Sequence, residues 1–166
     1  MALNHKIKYN YFQMMFKNLI PLKQTFNGVF RTTSDLNLNL GDFEMDFDFI
    51  QQRLQEGLNI KVNIEKETLP NVLLSRNNVL TQEAYTLSIS EENIQIEASD
   101  PIGAYYAFES LHQILLIAQN EEKGWPLLSI EDAPRFRNRG FMSDVARNFY
   151  SKKKVFQILD YMALYK

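Results

Sequence analysis

Between Leu36 and Ile96 the apolar residues repeatedly change their spacing, and this limits the chain to a mixture of strands and helices. Leu36, Leu38 and Leu40 alternate with Asn37 and Asn39, the period of a strand with one buried face. That extended segment reads as 29–40, opened by Gly28 and ended by Gly41-Asp42. Phe47, Ile50, Leu54 and Leu58 then share one helical face, with Gly57 placed where a helix stops. Alternation returns at Ile60, Val62 and Ile64. After the Leu69-Pro70-Asn71 break, Val72-Leu73-Leu74 is predicted to be a short buried strand. Tyr85, Leu87 and Ile89, a turn at Glu91-Glu92-Asn93, and Ile94 and Ile96 predict a hairpin.

Asp100-Pro101 marks a helix start, because Asp accepts from an orphan N–H and Pro at the first helical position has none to leave unsatisfied. The helix is expected to run to about Gln119, with Ala104, Phe108, Leu111, Leu115 and Ala118 on its apolar face. His112 borders that face and reads as a core or boundary histidine, since no second metal-type side chain lies at helical spacing. The resulting fold class is α+β: two layers, a mainly antiparallel sheet with helices on one face. This part contains no Gly-rich phosphate loop, nucleophile elbow or paired histidines.

Composition narrows the function. The absence of Cys removes disulfides, thiolate catalysis and thiolate metal sites, and leaves the compartment open. A net charge of -2 gives no electrostatic case for nucleic acid as a partner. No apolar run approaches a membrane span. In 1–19, Lys6, Lys8 and Lys17 interrupt every apolar run, so no signal-peptide core is visible. This segment reads as a poorly ordered leader, with an amphipathic surface helix over Tyr9 to Phe16 as the rival.

The chemistry is concentrated between Asp132 and Tyr150. Arg135, Arg137, Arg139 and Arg147, with Asp132, Asp144 and Gly140, surround what reads as a strand at Phe141-Met142. Arg135, Arg137 and Arg139 alternate with Phe136 and Asn138, the pattern of solvated linker charges. A helix follows, with Val155, Ile158, Leu159, Met162 and Tyr165 on one face. A single β–loop–α unit cannot bury both faces of its strand, so it is expected to begin a larger parallel α/β structure. In a (β/α)-barrel the strand exit is the active-site face, and Asp144 and Arg147 sit there. Their spacing also fits a local ion pair or a cap for the following helix.

Asp132-Ala133-Pro134-Arg135-Phe136, followed by Arg139-Gly140-Phe141-Met142-Ser143-Asp144-Val145-Ala146-Arg147, closely resembles the opening of the catalytic barrel in glycoside hydrolase family 20, the β-N-acetylhexosaminidases. Asp160-Tyr161-Met162-Ala163-Leu164-Tyr165-Lys166 is similar to the family's first barrel helix. Segments 83–89, 94–100 and 101–107 resemble strands and a helix start of the domain that precedes the barrel. Asn148 stands where the family usually has His, a departure that bears on local loop packing.

With 1–19 read as a leader, the resemblance implies an α+β domain over 20–131 and a truncated start of a (β/α)8 barrel over 132–166. It implies that Arg147 hydrogen-bonds the ring hydroxyls of a terminal N-acetylhexosamine, with Asp144 as a possible orienting residue. It implies substrate-assisted retaining hydrolysis, in which the sugar's own 2-acetamido oxygen attacks the anomeric carbon. An Asp positions that group and a Glu protonates the leaving oxygen. That Asp-Glu pair lies downstream in the family and is absent between Asp132 and Lys166, so no catalytic residue is assigned. Expected partners are N-acetylhexosamine-containing oligosaccharides or glycoconjugates, with no cofactor and no metal. The family is often exported or lysosomal. Two other readings stay open: a non-catalytic carbohydrate-binding or interaction domain with the same α+β fold, and a related hydrolase of altered specificity.

Overall fold

Alternating burial along the strands builds the sheet, and two helices cover one side of it. A computed structural model describes residues 22–30, 35–64, 69–118 and 124–165. The expected leader over 1–19 lies outside these residues. By internal contacts the chain divides into a unit over Met1–Ala133 and a second over Pro134–Lys166.

Among the described residues of the first unit the strands are β1 (Leu22–Phe30), β2 (Asp35–Asn39), β3 (Lys61–Asn63), β4 (Val72–Arg76), β5 (Tyr85–Ile89), β6 (Ile94–Ala98) and β7 (Trp125–Asp132). Among the described residues of this unit the helices are α1 (Phe47–Gln55) and α2 (Pro101–Ala118). The seven strands form one sheet in the order β1-β7-β5-β6-β4-β2-β3. Tyr85, Leu87 and Ile89 on β5, with Ile94, Ile96 and Ala98 on β6, point inward, while Gln95 and Glu97 face out. The hairpin expected from their alternation is present, with Leu87 opposite Ile96. α1 and α2 pack against each other, and α2 lies over β5, β6 and β7. The helix layer and sheet enclose one core that includes Leu36, Ile50, Leu54, Phe108, Leu111 and Ile130.

The sheet is mixed where a mainly antiparallel one was expected. β1/β7, β7/β5 and β5/β6 are antiparallel. β6/β4, β4/β2 and β2/β3 are parallel. The cause is the path of the chain: α1 carries it back from the end of β2 to the start of β3, and such a crossover makes the two strands parallel. Asn71 extends the short β2/β4 ladder with its side chain. Its Oδ1 accepts from the Asn37 N–H at 2.9 Å, and its Nδ2 donates to the Asp35 carbonyl at 3.0 Å. The amide thereby acts as one more peptide group in the ladder.

Two strand assignments from the sequence need correction. The extended segment read as 29–40 is two strands, β1 and β2, and Gly28 lies inside β1 rather than opening it. Gly28 has φ 134° within an irregular stretch of the β1/β7 register, and a Cβ there would meet Leu127 Cδ1 at 2.7 Å. β7, which the spacing of its apolar residues does not announce, lies between β1 and β5 with Ile130 fully buried. Pro126 and the pair Leu127-Leu128 hide its alternation.

The start of α2 follows its sequence signal. Asp100 Oδ1 accepts from the N–H groups of Ile102 and Gly103 at 3.0 and 2.9 Å. Asp100 Oδ2 accepts from the Glu83 N–H at 2.7 Å, which ties the helix start to the entry of β5. Gly103 permits this approach, since a Cβ there would stand 2.6 Å from the Ala84 carbonyl oxygen.

In the second unit, α3 spans Lys152–Tyr165. Ser151 begins it: Oγ accepts from the Lys154 N–H at 3.3 Å. Phe141 and Met142, read as a strand, carry no ladder bonds, and no strand follows β7 among the described residues. A strand at this position needs a neighbour to pair with.

Candidate active-site segment

The chain leaves β7 at Asp132. The Tyr85 hydroxyl donates to Asp132 Oδ2 at 3.1 Å and lies 2.6 Å from Ser110 Oγ, so β5, α2 and the end of β7 meet at one buried hydroxyl. Burial pushes the Tyr85 phenol well above its ordinary value, and the Asp132 carboxylate adds to the shift.

Beyond it, the Arg135 guanidinium stands 5.6 Å from the centroid of the Phe136 ring. Arg139 Nη1 donates to the Phe136 carbonyl at 2.6 Å. Asp144 organises the next turn. Its Oδ1 accepts from the N–H groups of Ala146 and Arg147 at 3.0 and 3.2 Å, and its Oδ2 pairs with Arg147 Nε at 3.3 Å. The structure therefore brings Asp144 and Arg147 together as a local ion pair, and the cap of α3 belongs to Ser151 instead. Both Asp144 oxygens are engaged by its own turn. The Arg147 side chain is 89% exposed, so its Nη groups face outward while Nε is held. A guanidinium presents a planar set of donors suited to adjacent hydroxyls or a carboxylate.

A second polar cluster, which the sequence reading did not single out, lies between α1 and α2. Arg53 donates from Nε and Nη2 to Glu109 at 2.8 and 3.0 Å, and also pairs with Glu56. The Tyr105 hydroxyl donates to Glu109 Oε1 at 2.9 Å. Glu109 is fully buried. Burial opposes the charge on Arg53, but hydrogen bonds and attraction from Glu109 outweigh it and hold the guanidinium above its ordinary value. Burial and the Glu109 charge push the Tyr105 phenol up. His112 joins the cluster through Nε2, 2.7 Å from the Glu56 carbonyl. The available signal was a polar stripe at helical spacing, Tyr105, Glu109 and His112, beside the apolar face of α2. Among the described residues no group of three or more His, Asp or Glu is placed to hold a metal ion, and no helix is long and apolar enough to cross a membrane.

Comparison with known proteins gives this geometry its context. Residues 19–133 match the family description "Glycosyl hydrolase family 20, domain 2", and residues 136–166 match "Glycosyl hydrolase family 20, catalytic domain". An N,N'-diacetylchitobiase of Vibrio harveyi is 51% identical over 83 residues, 50% of this chain and 9% of that enzyme. Beta-hexosaminidase B of Pseudoalteromonas piscicida is 35% identical over 132 residues, 79% of this chain and 16% of its own length. The solved structure of a family 20 exo-β-N-acetylglucosaminidase from Vibrio harveyi, in complex with N-acetylglucosamine, superposes with a TM-score of 0.71 at 26% identity, over 85% of this chain and 22% of that one. The two family matches, over residues 19–133 and 136–166, place the chain in a family of glycoside hydrolases. The chain belongs to glycosyl hydrolase family 20. It spans a small part of the relatives it matches.

Proposed function

We propose that this chain is the N-terminal part of an exo-β-N-acetylhexosaminidase that removes terminal non-reducing N-acetylglucosamine or N-acetylgalactosamine by substrate-assisted retaining catalysis. In this reading 1–19 is a leader, 20–131 the α+β domain and 132–166 the start of the barrel. Arg147 binds the sugar and Asp144 orients it.

The observation that carries the reading is the Asp144–Arg147 turn, set in the stretch whose motifs match the start of the family's catalytic domain. Asp144 holds Nε and the local backbone, leaving the outer guanidinium nitrogens to bridge two neighbouring ring hydroxyls. With both oxygens so used, Asp144 serves as a positioning residue rather than as general acid. The attacking oxygen is the substrate's own acetamido carbonyl, and the acid pair that positions it and protonates the leaving group belongs to a downstream part of the barrel. The 166-residue chain is accordingly inactive alone.

The test is Arg147→Lys in the enzyme that contains this chain, assayed with an aryl N-acetylglucosaminide. Hydrogen bonds to a charged group contribute about 1.5–3 kcal/mol, so kcat/KM falls roughly 10- to 100-fold, mainly through KM. An unchanged kcat/KM removes Arg147 from the site, and aryl release by the purified 166-residue chain contradicts its inactivity.

A further inference from the structure

His112 is 2% exposed, on the side of α2 that receives the C-terminal end of α1. Its Nε2 lies 2.7 Å from the carbonyl oxygen of Glu56, the residue that closes α1. A carbonyl only accepts, so Nε2 carries the proton of the neutral ring. Nδ1 then presents a bare lone pair, and among the described residues it has no hydrogen-bond partner. A second proton would place a charge and an unanswered N–H in this buried position.

The charged groups facing the ring are Arg53 and Glu56 from α1 and Glu109 from α2. Glu109 is already committed to Arg53 and to the Tyr105 hydroxyl, and the Glu56 carboxylate to Arg53. The nearby Arg53 guanidinium repels a charged imidazole. We propose that His112 is a proton-sensitive latch: neutral, it holds the end of α1 on α2 through the Glu56 carbonyl; protonated at Nδ1, it releases that end while the sheet stays formed.

The direction of titration agrees. Burial, assisted by Arg53, lowers the His112 value below 6.5, although the bond to Glu56 opposes this. A His with a depressed folded value stabilises the latch above its unfolded value and loses that contribution as pH falls below it. Because a single proton is involved, the docking equilibrium weakens about tenfold per pH unit between the unfolded and folded values.

The test is amide hydrogen exchange on the 166-residue chain, comparing α1 (Ile50, Leu54) with β6 (Ile94, Ile96) from about pH 7 to about pH 5. After correction for intrinsic rates, protection in α1 is expected to start falling as pH drops below about 6.5, by at most about tenfold per pH unit, while β6 stays protected. His112→Gln keeps a donor for the Glu56 carbonyl and cannot be charged, so its α1 protection stays flat with pH. Equal loss in α1 and β6, or the same pH dependence in His112→Gln, overturns the latch. Should His112→Gln fail to fold, imidazole ¹⁵N shifts of the wild type decide, with His5, the other histidine, identified by His5→Gln. An Nε2–H tautomer whose titration moves the α1 amides in step supports the latch, and an Nδ1–H tautomer overturns it.

Discussion

The two units answer the same demand, burial of apolar side chains, in opposite ways. In the first, Leu87, Ile94, Ile96, Leu111 and Leu115 are fully enclosed by a sheet and two helices that the segment itself supplies. In the second, α3 has the apolar stripe its spacing predicts, yet Leu159 is 51% and Phe156 53% exposed, and Met142, ahead of it, 95%. Polar groups follow the same division. Glu109 and Arg53 meet across two helices, 56 residues apart in sequence, whereas Asp144 and Arg147 meet within one turn. The described residues of the first unit thus contain the partners their pattern calls for. The second unit leaves the apolar stripe of α3 largely exposed, since its described residues supply no layer of their own to cover it.

That contrast can be broken most sharply at Glu109. Glu109→Ala leaves Arg53 half-buried without its main counter-charge, and removing one partner of such a pair costs about 3–5 kcal/mol. A shift of the urea midpoint corresponding to less than about 1 kcal/mol would show that the cluster contributes little to docking the helices. Next comes one substitution made in both units. Leu111→Ala is expected to cost about 2–5 kcal/mol through lost burial and the cavity left behind, whereas Leu159→Ala stays within about 0.5 kcal/mol. Equal effects in thermal melts would mean that α3 is covered in solution.

The smallest effect sharpens the comparison through pH. Asp100→Ala removes a cap and costs about 1 kcal/mol near neutrality. Burial opposes the Asp100 charge, but hydrogen bonds from Gly103, Glu83, Ser99 and Ile102 outweigh it and lower its value below 3.8. A depressed carboxylate contributes above its unfolded value and loses that contribution as pH falls through the folded one. The gap between wild type and Asp100→Ala in urea should therefore narrow toward about pH 2. A gap independent of pH would remove charge from the account.

What could be read from the sequence was local. The β5–β6 hairpin and the start of α2 depend on alternation and on a cap within a few residues, and both are present. β7 was hidden because Pro126 and adjacent leucines break its period, although its place between two strands needs no clean pattern. Strand direction was misjudged because parallel pairing is decided by where α1 delivers the chain, and no strand encodes that alone. The Asp144–Arg147 contact was open to inspection at a spacing of three residues. The Arg53–Glu109 pair was not, since packing of α1 on α2 brings its members together. The family resemblance reached further than the spacing did, because Asp132-Ala133-Pro134-Arg135-Phe136 is an unusual string rather than a periodic one.

The place of β1 at the end of the sheet bears on how the protein is made. β1 pairs with β7, and 94 residues separate Phe30 from Trp125. At a synthesis rate of about 5–20 residues per second, β1 waits roughly 5–20 s for its partner. Meanwhile β5, β6 and α2 can assemble from local contacts. A nascent chain arrested before Trp125 should therefore hold a folded centre beside an unpaired β1, the form in which a holdase chaperone would find most to bind.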